Sequence, residues 1–238
     1  MYAVEGDSAF IIEGSGTFPV YDQNHQAKSL ELHGFDNIAD LAFQHFTNLV
    51  NVSFNDALLK IGNDVFFQTK VENVYLPSSL QEFSPLQSFD VLYTIKSIKV
   101  SDLNRNFKDI DGVLFSKDQT ILYYWPPNRN EKYIVVPNGV ELIWIAAFAF
   151  NSITKYVRFP PTVRTIQNYF FTVCNAIEYI EIQNHESRVY INPDNLFRDS
   201  PADRSIIHFI PISPCNTCLC KLSILNYYTT LFCFLLVS

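Results

Sequence analysis

Glycine is scarce, seven in 238 residues. That excludes collagen-like sequence and leaves little material for glycine-rich phosphate loops. Cysteine is missing from residues 1–173; all five lie later, at Cys174, Cys215, Cys218, Cys220 and Cys233. No disulfide framework can therefore hold the main body together. Charge is low as well: only 17% of residues are charged, and they sum to −7. A basic nucleic-acid footprint is absent, and no nucleic acid is expected as partner. Residues 1–15 (MYAVEGDSAFIIEGS) have neither the basic start nor the apolar run of a secretory signal. Either a leader lies outside this sequence or the chain is not exported by that route.

What is abundant is apolar and aromatic. Hydrophobic residues make up 48%, with 21 Phe and 13 Tyr. A sizeable core follows, and disorder across the chain does not. The length suits one large domain or an extended single-layer array.

The apolar residues recur with a period. Residues 38–54 (IADLAFQHFTNLVNVSF) align with 166–182 (IQNYFFTVCNAIEYIEI). Ala42-Phe43 matches Phe170-Phe171, Leu49 matches Ile177, Val52 matches Ile180 and Phe54 matches Ile182. Residues 61–76 repeat the pattern with one deletion, and residues 143–159 with Ile153 displaced by one. Ile38 to Ile61, Ile143 to Ile166, Val140 to Val163 and Pro137 to Pro160 are each 23 residues apart.

V-x-F or I-x-I has period two and predicts a short strand with one buried face. The segment I-x-x-x-A-F has the spacing of a helical or 3₁₀ turn whose Phe plugs the core. Pro or Asn closes the strand, as at Leu76-Pro77 and Phe159-Pro160. Such a unit buries its apolar edge only when stacked on its neighbours. The expected fold class is an α/β-type repeat solenoid, with a parallel sheet on one face and short helical or 3₁₀ turns on the other.

These residues resemble the BspA-like leucine-rich repeats, whose pattern is similar to I-x-x-I-x-x-x-A-F-x-x-C-x-x-L-x-x-I-x-L-P. It is carried by Ile143, Ala147-Phe148 and Val157-Arg158-Phe159-Pro160, and by Ile166, Phe170-Phe171, Cys174, Ile177 and Ile180-Glu181-Ile182. Only Cys174 keeps the cysteine position; Phe46, Thr69 and Asn151 replace it elsewhere. Residues 107–140 resemble the family's β-hairpin insertion, with turns at Asp111-Gly112 and Lys117-Asp118-Gln119. Strands are expected at Val113-Leu114-Phe115 and Ile121-Leu122-Tyr123-Tyr124. Residues 9–19 look like the short N-terminal strand pair. At residues 83–94 the Ala-Phe pair is missing, and Ser88-Phe89 stands in for it. The expected organisation is a cap over 1–28, a solenoid over 29–210 with the insertion at about 107–136, and an apolar Cys-containing tail over 211–238.

Signs of catalysis are few. His25, His33, His45, His185 and His208 form no HExxH pair, and no G-x-S-x-G elbow exists. His45 reads as a structural or surface histidine, and Gly14-Ser15-Gly16 as a hairpin turn. No enzyme, cofactor or resident metal is expected. Cys215, Cys218 and Cys220, with Cys233, have some metal-like spacing. They lack the second C-x-x-C, and acylation, disulfides near a membrane or no specific role compete with that reading. Residues 222–238 carry no charge but are at the short limit for crossing a bilayer. A membrane anchor, a segment packed on the solenoid end and an ill-ordered or mistranslated end all stay open.

Strand alternation marks an outward face: Asn51 and Ser53, Asn73 and Tyr75, Ser97 and Lys99, Tyr156 and Arg158, Tyr179 and Glu181. Parallel stacking should arrange them as columns on one continuous face. Tyr and Arg are enriched in binding hot spots, although aromatic residues also simply suit strand surfaces. Trp125 with Tyr123 and Tyr124 is a second candidate, against local packing of the hairpin. Asn51-Val52-Ser53 is a glycosylation sequon, usable only if the chain is secreted. The expected function is non-enzymatic binding of a macromolecular partner on the strand face. The resemblance implies a cell-surface or secreted antigen that adheres to host or matrix proteins. The alternative is a cytoplasmic leucine-rich repeat scaffold using the same face.

Overall fold

The computed structural model describes residues 2–5, 10–21, 26–84, 88, 93–193 and 196–211. His25, Phe89, the four cysteines of the tail and the whole uncharged segment 222–238 lie outside them. In chain order the strands are β1 (Tyr2–Glu5), β2 (Phe10–Phe18), β3 (Ser29–Ile38), β4 (Asn51–Phe54), β5 (Lys60–Ile61), β6 (Asn73–Leu76), β7 (Ser97–Val100), β8 (Phe107–Ile110), β9 (Val113–Ser116), β10 (Ile121–Tyr124), β11 (Tyr133–Val135), β12 (Leu142–Ile143), β13 (Tyr156–Phe159), β14 (Thr165–Ile166), β15 (Tyr179–Ile182), β16 (Tyr190–Ile191) and β17 (Ile207–Phe209).

Period-two segments form the strands of the long face. Val52 and Phe54, Val74 and Leu76, Ile98 and Val100, then Val157 and Phe159 all point inward and are buried. Parallel pairing puts them in register: Val52 lies beside Val74, Val74 beside Ile98, and Val157 beside Ile180. The Ile that opens each repeat starts no helix. Ile38 and Ile61 pair in parallel at the end of β3 and in β5, as do Ile143 and Ile166 in β12 and β14. The coil thus has a second, shorter strand face.

Helical conformation among the described residues is confined to 3₁₀ turns at Glu186–Arg188 and Arg204–Ile206 and to Ser88, whose N–H reaches Ser84 O at 2.8 Å. The α/β description with a helical face is therefore corrected to a β-solenoid. Its arcs are chained tight turns, with Gln44 N bonded to Leu41 O and Phe46 N to Phe43 O. Leu41, Asp64, Ala146 and Tyr169, at equivalent positions, take the left-handed conformation, at φ 58°, 49°, 54° and 58°. Each costs about 1–2 kcal/mol and stops helix propagation. In return, alternate N–H groups reach the next coil. Leu41 N bonds Asn63 O and Phe43 N bonds Val65 O; Phe148 N bonds Phe170 O and Phe150 N bonds Thr172 O. Each bond is worth about 1 kcal/mol and pairs a backbone donor and acceptor that burial would otherwise penalise. The arc Phe residues then stack inside, Phe43 on Phe66 at 5.5 Å and Phe148 on Phe171 at 5.2 Å. Ser88 is buried and donates to Gly62 O at 2.9 Å.

Three sheets result. The first runs β1-β2-β3-β4-β6-β7, with β5 on β3; the second β16-β14-β12-β10-β9-β8; the third β11-β13-β15-β17. β1 is antiparallel to β2, but β2 pairs in parallel with β3 from Phe10↔Leu30 to Phe18↔Ile38. Gly14-Ser15-Gly16 is not a hairpin turn. It is an irregularity inside β2, with Gly16 at φ 71°. In the insertion β8, β9 and β10 form an antiparallel meander. β9 is buried on both faces: Leu114 belongs to the core of the first half, Val113 and Phe115 to that of the second.

Candidate interaction face

The ten outward positions fall into two groups. On the first sheet one column runs Ser29, Asn51, Asn73, Ser97 and the next Glu31, Ser53, Tyr75, Lys99. On the third, one runs Tyr133, Tyr156, Tyr179 and the other Val135, Arg158, Glu181, His208. The face is not continuous, because β7 and β11 end separate sheets with no ladder between them. The insertion stands there, its Gly112 carbonyl accepting from Ile98 N at 3.0 Å.

The first group forms a polar ladder. Asn73 Nδ2 donates to Asn51 Oδ1 at 3.0 Å, and Asn51 Nδ2 to Ser29 Oγ at 3.3 Å. Tyr75 is 41% exposed. Lys99 Nζ is 2.9 Å from Asp109 Oδ2, tying the column to the insertion. These strands line a shallow concavity of about 400 Å³ that includes Ser29, Asn51, Asn73, Tyr75 and Lys99.

The second group is an aromatic stack. Tyr133 lies 6.3 Å from Tyr156, Tyr156 is stacked 5.5 Å from Tyr179, and the His208 ring is stacked 4.1 Å from Tyr179. Glu181, expected to face solvent, is buried. Tyr156 Oη donates to its carboxylate, Arg158 Nε is 2.9 Å away and Gln183 Nε2 donates at 3.0 Å. Burial first, and the hydrogen bond to Glu181 second, push the Tyr156 phenol up to about 12. Glu181 therefore organises the face from beneath rather than presenting a charge.

Tyr133, Val135, His208, Ser29 and Glu31 share these columns and are additions to the sequence reading. Their signal was present, since Leu30-x-Leu32 and Ile134-x-Val136 have the same period two. In the second candidate Tyr124 and Trp125 are core, and Tyr123 is partly buried against it. Trp125 stacks on Phe148 at 5.7 Å and donates to Glu131 Oε2 at 2.8 Å, while Tyr123 packs on Phe107 and Trp144.

Among the described residues no group of three His, Cys, Asp or Glu is placed to hold a metal. His33 stands between carboxylates, Nδ1 3.8 Å from Glu13 and Nε2 3.5 Å from Glu31. They meet opposite ring nitrogens, which does not suit joint ligation of one ion. Among the described residues no helix is long and apolar enough to cross a membrane.

A solenoid of stacked coils with parallel strands on its long face is the architecture of leucine-rich repeats. The sequence matches the BspA type leucine rich repeat region in six copies, over residues 20–128 and 123–207. The chain belongs to this family. No curated protein matches it in sequence. Similar solved structures include a leucine-rich repeat protein from Eubacterium ventriosum, 15% identical with a TM-score of 0.47, covering 75% of this chain and 68% of that one. The pneumococcal vaccine antigen PcpA is 16% identical at 0.46, covering 89% and 85%. A leucine-rich cell surface protein from Faecalibacterium prausnitzii is 16% identical at 0.38, covering 79% and 75%.

Proposed function

We propose that this chain is a non-enzymatic binding module whose long strand face docks a macromolecular partner, a protein or a matrix component, at the cell surface or after secretion. One observation carries the reading: two ordered columns of polar and aromatic side chains border a concavity of about 400 Å³ on a rigid sheet. Asn51, Asn73 and Tyr75 supply directional hydrogen bonds and one aromatic anchor, the mixture that interfaces use. Family membership supports the same reading, because repeat solenoids offer broad faces without chemistry.

The test is binding to surfaces coated with purified matrix proteins, by the chain as it stands and by a Tyr75→Ser, Asn73→Ala double variant. Loss of binding in the variant supports the face; equal binding by both overturns it. Antibody labelling of intact cells tests the location. Signal only after permeabilisation would place the same face inside the cell.

A further inference from the structure

The insertion adds strands to one side of the solenoid only. The second sheet passes through β8, β9 and β10 in succession, whereas the long face goes from β7 to β11 with no strand between. Paired strands lie about 4.8 Å apart, so the extra strands displace β11 from the partner that a regular coil would give it. The two edges created in this way are treated differently.

The β7 edge is covered. Its outward donors are both taken by the insertion, Ile98 N by Gly112 O at 3.0 Å and Val100 N by Asp109 Oδ1 at 2.8 Å. The β11 edge is not. Tyr156 N bonds Lys132 O and Val136 N bonds Arg158 O, so the even-numbered residues face β13. The N–H and C=O groups of Tyr133 and Val135 point the other way, and no hydrogen-bond partner meets them among the described residues. Their side chains are 72% and 59% exposed, while Tyr156 and Arg158 beside them are half-buried. Proteins usually cover or charge such an edge, because it is a template for another strand.

We propose that the open edge of β11 receives an extended segment of another protein as an added strand, bearing apolar residues beside Tyr133 and Val135 and an acidic residue near Lys132. Main-chain hydrogen bonds supply the affinity and alternate side chains the selectivity. Charge selects the occupant. Lys132, at the start of the strand, is exposed and has no ion-pair partner among the described residues. A second copy would bring another net −7 to the contact. This site is an edge, separate from the strand face of the proposed function, and either can fail without the other.

Val135→Pro is the diagnostic variant. It deletes the N–H on the open edge and spares the inner ladder, a setting in which a strand tolerates proline. Val135→Thr keeps the N–H and serves as control; circular dichroism checks that both fold. A phage-displayed library of linear peptides is panned on the wild-type chain, and an enriched peptide is titrated by fluorescence anisotropy. The expected result is an extended motif with alternating apolar residues and one acid. Its binding should fall about tenfold or more in Val135→Pro, stay unchanged in Val135→Thr, and be indifferent to Tyr75→Ser. No enrichment, or equal binding by Val135→Pro, overturns the proposal. So does a dimer in sedimentation equilibrium that Val135→Pro dissolves, which would make a second copy the occupant.

Discussion

Tyr156 and Glu181 lie on neighbouring strands, and the phenol of the first donates to the buried carboxylate of the second. Arg158 closes the group, 2.9 Å from the same carboxylate. An acid that alternation turns outward is thus covered by its own neighbours, and the ring above it is fixed in place.

This pair predicts a titration. The folded Tyr156 phenol sits at about 12, raised by burial and then by the Glu181 bond, above the ordinary value of about 10. Its stabilising contribution is complete below the unfolded value and is lost as pH climbs from about 10 through 12. Ultraviolet titration of wild type against Tyr156→Phe should show that the missing tyrosine is one of those that ionise late, alongside the buried Tyr124. At neutral pH the same variant should cost about 1 kcal/mol, one partly exposed hydrogen bond. A missing tyrosine that ionises near 10 would remove the bond from the account.

Cys174 predicts a silence. It is fully buried, its thiol meets Phe148 O at 3.0 Å, and burial pushes it up to about 12. Thiolate is the reactive form. Alkylation of the native protein at neutral pH, read by peptide mapping, should leave Cys174 unmodified until the chain is unfolded. Early labelling would mean that the arc opens.

The buried positions were legible in the sequence because period two and a spacing near 23 are both set by burial. Val52, Phe54, Val157 and Phe159 lie where that pattern puts them. The arcs were misread as helix because Ile143 and Ala147-Phe148 sit four and five residues apart, which suits a helical turn equally well. What decides between them is a left-handed residue at Leu41, Asp64, Ala146 or Tyr169, and none of these is a glycine that would announce it. The face was expected to be continuous because the sequence of residues 107–136 gives the length of the insertion but not the side of the coil that receives it. Glu181 was misjudged for a similar reason: alternation sets the direction of a side chain, whereas its cover comes from Tyr156 on another strand.

Two glycines with positive φ separate strain from collision. Gly139, at φ 100°, has nothing within 4 Å of an added Cβ. Gly34, at φ 83°, would place that atom 2.2 Å from the backbone oxygen of Gly14 in β2. Gly139→Ala should cost about 1 kcal/mol from conformation alone. Gly34→Ala should cost roughly 3 kcal/mol or more, because β2 and β3 must separate. Thermal denaturation ranks the two, and equal losses would mean that the first coil shifts freely.

Leu114 and Phe115 are adjacent in β9, yet they pack into different halves of the solenoid. Both are almost fully buried, so Leu114→Ala should cost about 2–5 kcal/mol and Phe115→Ala about 3–5 kcal/mol. The informative quantity is where the loss appears. Coils of a solenoid contact only their neighbours, so a cavity should weaken the adjacent coils most. Native-state hydrogen exchange should then show Leu114→Ala loosening β6 and β7, and Phe115→Ala loosening β12 and β13. If each substitution loosened both halves equally, β9 would couple the two cores into one cooperative unit, and the insertion would be the keystone of the fold rather than a wall within it.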